Sequence, residues 1–151
     1  MKQEIVQADI TVVGGGLAGV NAAIAAARLG RTVALVQNRP VLGGNSSSEV
    51  RVWVCGATAH GTQRYARETG IMGELFVENQ FRNIEGNPYL WDLTLLEAVR
   101  AEPNIRLYLN TDVHEVEADG DEQDREIRSL TGWMMGSERR IRFESLFYLD
   151  C

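Results

Sequence analysis

Residues 10–19 read Ile10-Thr11-Val12-Val13-Gly14-Gly15-Gly16-Leu17-Ala18-Gly19, and an alanine-rich run, Val20 to Leu29, follows directly. The glycines at 14, 16 and 19 therefore stand at the spacing G-x-G-x-x-G between a strand-like and a helix-like segment, the context that spacing needs before it carries meaning. Each glycine has its own task. The first permits a sharp turn, the second lets a diphosphate approach the backbone, and the third lets helix and strand pack closely. The first N–H groups of a helix lack carbonyl partners, and the helix dipole places about half a positive charge there. Phosphates can thus be held without lysine or arginine. The plainer alternative, glycines that only shape a βα turn, leaves the flanking runs as coincidence.

Working outward, Ile10 to Val13 is a continuous apolar run, the pattern of a parallel strand covered on both faces. The helix runs from about Leu17 to Leu29 with Gly30 as its C-terminal cap, and Thr32 to Val36 repeats the buried-strand pattern. The three form a βαβ unit, whose crossover is expected to be right-handed. After Pro40 comes a second glycine loop, Val41-Leu42-Gly43-Gly44-Asn45-Ser46-Ser47-Ser48-Glu49, either an ordinary polar loop or a row of small donors along an extended ligand. Val50 to Cys55 is apolar apart from Arg51, and Gly56 to Gly61 is another small-residue loop.

Thr62 reads as the cap of a helix reaching about Asn83, with Ile71, Met72, Leu75, Phe76 and Asn79 on one face and Gly70 and Gly73 weakening it. A loop at Gly86-Asn87-Pro88 precedes a helix from about Trp91 to Ala101, which Pro103 ends. Ile105 to Leu109 is a third parallel-type strand. Val113 to Ala118, Glu126 to Met135 and Arg139 to Phe143 then read as an antiparallel meander, turning at Gly120-Asp121 and Gly136-Ser137, and Phe147-Tyr148-Leu149 returns as a separate strand. The fold class is α/β: a Rossmann-like parallel sheet flanked by helices, with an antiparallel β-meander insertion, one domain over residues 1–151.

Composition narrows the partners. The chain has 151 residues, with 15 basic against 21 acidic side chains and no basic run, so nucleic acid and anionic membrane are not expected partners. Cys55 and Cys151 form no C-x-x-C pair, which argues against a disulfide framework or a zinc site, and no other metal-ligand cluster is present. No P-loop, H-E-x-x-H or G-x-S-x-G elbow occurs. The opening residues hold no apolar signal core, so the chain is expected to be soluble and cytoplasmic.

The identity of the dinucleotide is left open by the second strand. An acid about 20 residues past the glycines usually receives the adenosine ribose hydroxyls, but Gln37 stands there, followed by Asn38 and Arg39, and an arginine at that place can pair with the 2′-phosphate of NADP. The wider sequence decides. Gly14 to Gly19, the stretch Leu42-Gly43-Gly44-Asn45-Ser46-Ser47-Ser48-Glu49-Val50-Arg51-Val52-Trp53 and the meander together resemble the FAD-dependent oxidoreductases with a two-dinucleotide-binding-domain type fold, from Ala8 onward. The resemblance implies FAD, with Gly14, Gly16 and Gly19 and the amides of Leu17 and Ala18 at the pyrophosphate. It puts Gln37 and Asn38 near the adenosine ribose, Gly43, Gly44, Asn45 and Ser46 along the diphosphate toward the flavin, and the Val113 backbone beside the adenine.

In such enzymes the flavin accepts a hydride at its N5, and protein supplies position and a proton path. Arg51, Cys55 and His60 follow the flavin-directed loop and are the catalytic candidates. Each has a plainer reading: Arg51 as a structural ion pair, Cys55 as a small buried hydrophobe, His60 as part of a turn. The relatives implied by the resemblance continue past the strand matching Leu146 to Asp150, with a further flavin segment and a substrate domain. The chain is therefore expected to be the N-terminal part of an oxidoreductase of unidentified small-molecule substrate, inactive alone. Two other readings remain, an NADP-binding reductase domain and a noncatalytic nucleotide-binding or interaction module.

Overall fold

The computed structural model describes residues 2–55, 61–63, 65–121 and 123–151. Strand β1 (Lys2–Val13) leads through the glycine turn into α1 (Leu17–Arg28) and then β2 (Val33–Val36). Helices α2 (Gly70–Arg82) and α3 (Pro88–Arg100) precede β3 (Ile105–Tyr108), and β4 (Thr111–Gly120), β5 (Arg125–Met134) and β6 (Arg139–Asp150) complete the chain. All six strands form one sheet in the order β3-β2-β1-β6-β5-β4. Pairs β3-β2, β2-β1 and β1-β6 are parallel, and β6-β5 and β5-β4 antiparallel, so the meander is an arm of the parallel sheet.

Burial follows the apolar pattern. β2 is buried at all four positions, its side chains alternating between two cores. On one side Val33 and Leu35 meet Val20, Ile24 and Ala27 of α1, Leu75 of α2 and Leu95 and Val99 of α3. On the other, Ala34 and Val36 meet Leu130, Ile141 and Phe143 from the antiparallel arm. The sheet curls enough for Tyr108 of β3 and Phe143 of β6 to touch edge to face, 5.2 Å between centroids, although β2 and β1 separate their strands. α1 ends as expected at Gly30, whose φ of +81° lets its N–H reach the Ala27 carbonyl (2.9 Å) while Arg31 N–H reaches that of Ala26 (3.0 Å).

Four expected boundaries are corrected. β1 begins at Lys2 rather than Ile10, because its polar first half pairs in parallel with Arg139 to Ser145. Arg139–Phe143 and Phe147–Leu149 are one strand, β6, not two; Arg139, Arg140 and Arg142 pair with Glu4, Glu115 and Glu117 on neighbouring strands. α2 starts eight residues later than Thr62, since Gly70 has φ +62°, a left-handed conformation that cannot lie inside a right-handed helix. α3 starts at Pro88 instead of Trp91: the Asn87 side chain accepts the Tyr89 N–H (2.9 Å) and Pro88 takes the first helical position.

Candidate functional site

The glycines of the first turn differ in what surrounds them. Gly14 has φ +109°, and a Cβ there would lie 2.0 Å from the Cys151 carbonyl oxygen. A Cβ on Gly19 would lie 1.8 Å from the Gly14 carbonyl oxygen, so the helix can approach β1 only because position 19 is bare. Gly16 differs: a Cβ there would meet nothing within 4 Å. Gly16 is the N-cap of α1, which has no side-chain cap and no acid in its first turn. The first-turn N–H groups lack helical carbonyl partners, and Leu17 and Ala18 border the open space beside Gly16.

That space is a groove of about 660 Å³, lined at this end by Gly14, Gly16, Leu17 and Ala18. Its other wall is the second glycine loop. Gly43 and Gly44 have φ of +105° and +56°, and a short 3₁₀ turn, Gly44–Ser46, follows. The Gly43 N–H donates to the Gly15 carbonyl (2.8 Å), and a Cβ on Gly44 would be 3.1 Å from Gly16 Cα, so the two loops lie back to back. Gly43, Gly44, Asn45 and Ser46 line the groove; Ser47 and Ser48 instead hold the loop, through Ser47 Oγ to the Gly44 carbonyl (2.7 Å) and Ser48 N–H to Asp92 Oδ1 (2.9 Å). The Ser46 hydroxyl donates to the Gly43 carbonyl (2.8 Å) and accepts from Trp91 Nε1 (3.0 Å).

At the far end Gln37, Asn38, Arg39 and Val113 line the groove, joined by Thr111 and Asp112. The Gln37 carboxamide is turned inward: Oε1 accepts the Gly15 N–H (3.0 Å) and Nε2 donates to the Val41 carbonyl (3.2 Å). Cys151 and Asp150, at the end of β6, also line the groove; sequence reasoning missed them because the β1–β6 pairing that puts them there is nonlocal. Burial, and then the Asp150 carboxylate, push the Cys151 thiol above its ordinary range.

Two of the three catalytic candidates, Arg51 and Cys55, fall among the described residues. Arg51 lies outside any strand, with φ +63°, donating from Nε to the Ser48 carbonyl (2.9 Å) and from one terminal nitrogen to the Tyr89 hydroxyl (3.2 Å). It borders a second, smaller cavity of about 280 Å³ with Trp53, Phe76 and Trp91, which meets the main groove at Ser46 and Val52 to Val54. Cys55 is exposed and not disulfide-bonded. His60 lies outside the described residues. Among the described residues no three His, Cys, Asp or Glu side chains gather to hold a metal ion, and no helix is long and apolar enough to cross a membrane.

A parallel sheet whose first βα turn opens bare amides onto a long groove defines a dinucleotide-binding α/β domain. Residues 9–151 match the FAD dependent oxidoreductase family, and the chain belongs to it. Over 37 residues it is 57% identical to the soluble pyridine nucleotide transhydrogenase of Ectopseudomonas mendocina (strain ymp), a stretch covering 24% of this chain and 8% of that protein. Among solved structures it resembles L-proline dehydrogenase from P. horikoshii (TM-score 0.57, 17% identity, 99% of this chain and 23% of that one). It also resembles adenylylsulfate reductase from Archaeoglobus fulgidus (TM-score 0.64, 17% identity, 99% and 31%). At such identities the likeness is one of fold, and the chain spans less than a third of either protein. The family's cofactor is FAD, and the groove has the size of a small-molecule site, with room left beside Gly16.

Proposed function

We propose that residues 1–151 hold the FAD of an oxidoreductase. The observation that carries this reading is the unobstructed Gly16, set between amide-bearing walls from two glycine loops. When bound, the flavin supplies the redox chemistry, taking a hydride at its N5. The chain's own residues bind and orient: the α1 N-terminus with Leu17 and Ala18 holds the diphosphate, Gly43 to Ser46 guide it toward the flavin end, and Val113 borders the adenine. Asn38 lies at the adenosine ribose. Arg51 would present positive charge near the flavin end, its guanidinium held by Ser48 and Tyr89. A cytoplasmic setting accords with the two cysteines having no disulfide.

Arg39 on the groove wall favours one second reading, an adenosine end that pairs with the 2′-phosphate of NADP. Calorimetric titration separates them. FAD binding tighter than NADP, with flavin absorbance near about 450 nm retained on the protein, supports the first reading, and the reverse order overturns it.

A further inference from the structure

The position at the end of β2 is where glycine-turn folds commonly place an acid for the ribose hydroxyls. Here Gln37 is only 5% exposed and is bonded through all four of its polar groups. Its backbone N–H donates to the Tyr108 carbonyl (2.8 Å) and its carbonyl accepts from Thr111 (2.9 Å). Its side chain accepts from the Gly15 N–H and donates to the Val41 carbonyl. Packing is equally close: a Cβ on Gly15 would lie 2.9 Å from Gln37 Cβ and 2.7 Å from Leu42 Cδ2. Gly15 is thus fixed at both ends, its N–H by Gln37 and its carbonyl by Gly43.

We propose that Gln37 is a positioning residue: its carboxamide clips the first glycine turn to the second glycine loop and so sets the spacing of the two walls that receive the FAD diphosphate. The proposal rests on the reading of the groove as the FAD site. The chemistry demands an amide, because Gly15 offers a donor and Val41 an acceptor. An ionised carboxylate has no proton for Val41, whereas a neutral carboxyl group can both donate and accept. An acid at this position, helpful where it reaches a ribose, is harmful here.

The test is the FAD dissociation constant of wild type, Q37E and Q37M, by quenching of flavin fluorescence between about pH 8 and pH 5.5, over which a buried carboxyl with a raised pKa gains its proton. At pH 8, Q37E is expected to bind about tenfold more weakly, the effect of leaving one buried carbonyl facing a charge. Its deficit shrinks toward pH 5.5 as the new carboxyl gains the proton Val41 needs. Q37M is weak throughout, with no such recovery. Arg39, Tyr108, Asp92, Asp112, Asp150 and Cys151 face this region from the surrounding elements and are shared by all three proteins, so the ratio to wild type isolates position 37.

Wild-type affinity in Q37M, tighter binding in Q37E at pH 8, or a Q37E deficit that ignores pH would each overturn the proposal. Should the variants not fold, amide exchange in the unliganded wild type decides: a protected Gly15 N–H supports the clip, and exchange at the open-chain rate refutes it. If Gly15 is protected but FAD does not bind, the FAD reading fails and the clip stands.

Discussion

Gly16→Val separates binding from folding more cleanly than any other change in the groove. Gly16 has φ −66° and ψ −179°, extended backbone open to any residue, and a Cβ there meets no atom within 4 Å. The cost to folding is the loss of a favourable N-cap glycine, under about 1 kcal/mol. Binding suffers far more, because the isopropyl group occupies the space where phosphate oxygens would reach the Leu17 and Ala18 amides. Two hydrogen bonds to a charged group are worth about 1.5–3 kcal/mol each, so affinity for FAD should fall by at least about a hundredfold. Gly19→Ala supplies the contrast. Its Cβ would sit 1.8 Å from the Gly14 carbonyl oxygen and 3.3 Å from Val12 Cγ1, forcing α1 off β1, so its loss of affinity should come with a large fall in melting temperature. Calorimetry with FAD beside thermal unfolding reads both effects. Gly16→Val binding FAD within about threefold of wild type, or melting like Gly19→Ala, would refute the assignment of room above Gly16 to a diphosphate.

Leu95 is fully buried, with its Cδ1 pressed beneath Gly43, so Leu95→Ala should lower stability by about 3 kcal/mol in urea unfolding; under about 1 would contradict its place in the core. Asp9 accepts the backbone N–H and then the hydroxyl of Thr32, which hold its carboxyl below the usual range. A lowered folded-state pKa adds stability above the ordinary carboxylate value of about 3.9 that is lost as pH falls through the folded value. The melting-temperature gap between wild type and Asp9→Asn should therefore narrow below about pH 4, and a constant gap would count against the bond. Because Cys151 lines the groove, saturating FAD should slow its alkylation, followed by peptide mass spectrometry; an unchanged rate would place the ligand elsewhere.

What the sequence displayed best was local chemistry. Gly14, Gly16 and Gly19 act within one turn, and α1 and β2 carry their own apolar periods and caps, so the βαβ unit could be read without knowing what lay beside it. The meander turns at Gly120 and Gly136 were legible for the same reason. Tertiary pairing was not. Lys2 to Ala8 were not read as strand because the partners that make them one lie more than a hundred residues away in β6. Glu144 and Ser145 hid the continuity of β6 by interrupting its apolar pattern. Asn87-Pro88 read as a loop, whereas Asn87 caps α3 and Pro88 opens it. Gln37 shows the same limit within the site: its position was plain, but its direction depends on Gly15, 22 residues earlier, and on the second loop folding against the first.

A crystal structure of the chain with FAD tests the site most directly. The expected density places the diphosphate over the open face of Gly16, its oxygens within hydrogen-bonding distance of the Leu17 and Ala18 nitrogens, and the ribityl chain along Gly43 to Ser46. Flavin density outside that groove, or a first turn of α1 closed to phosphate, would contradict it.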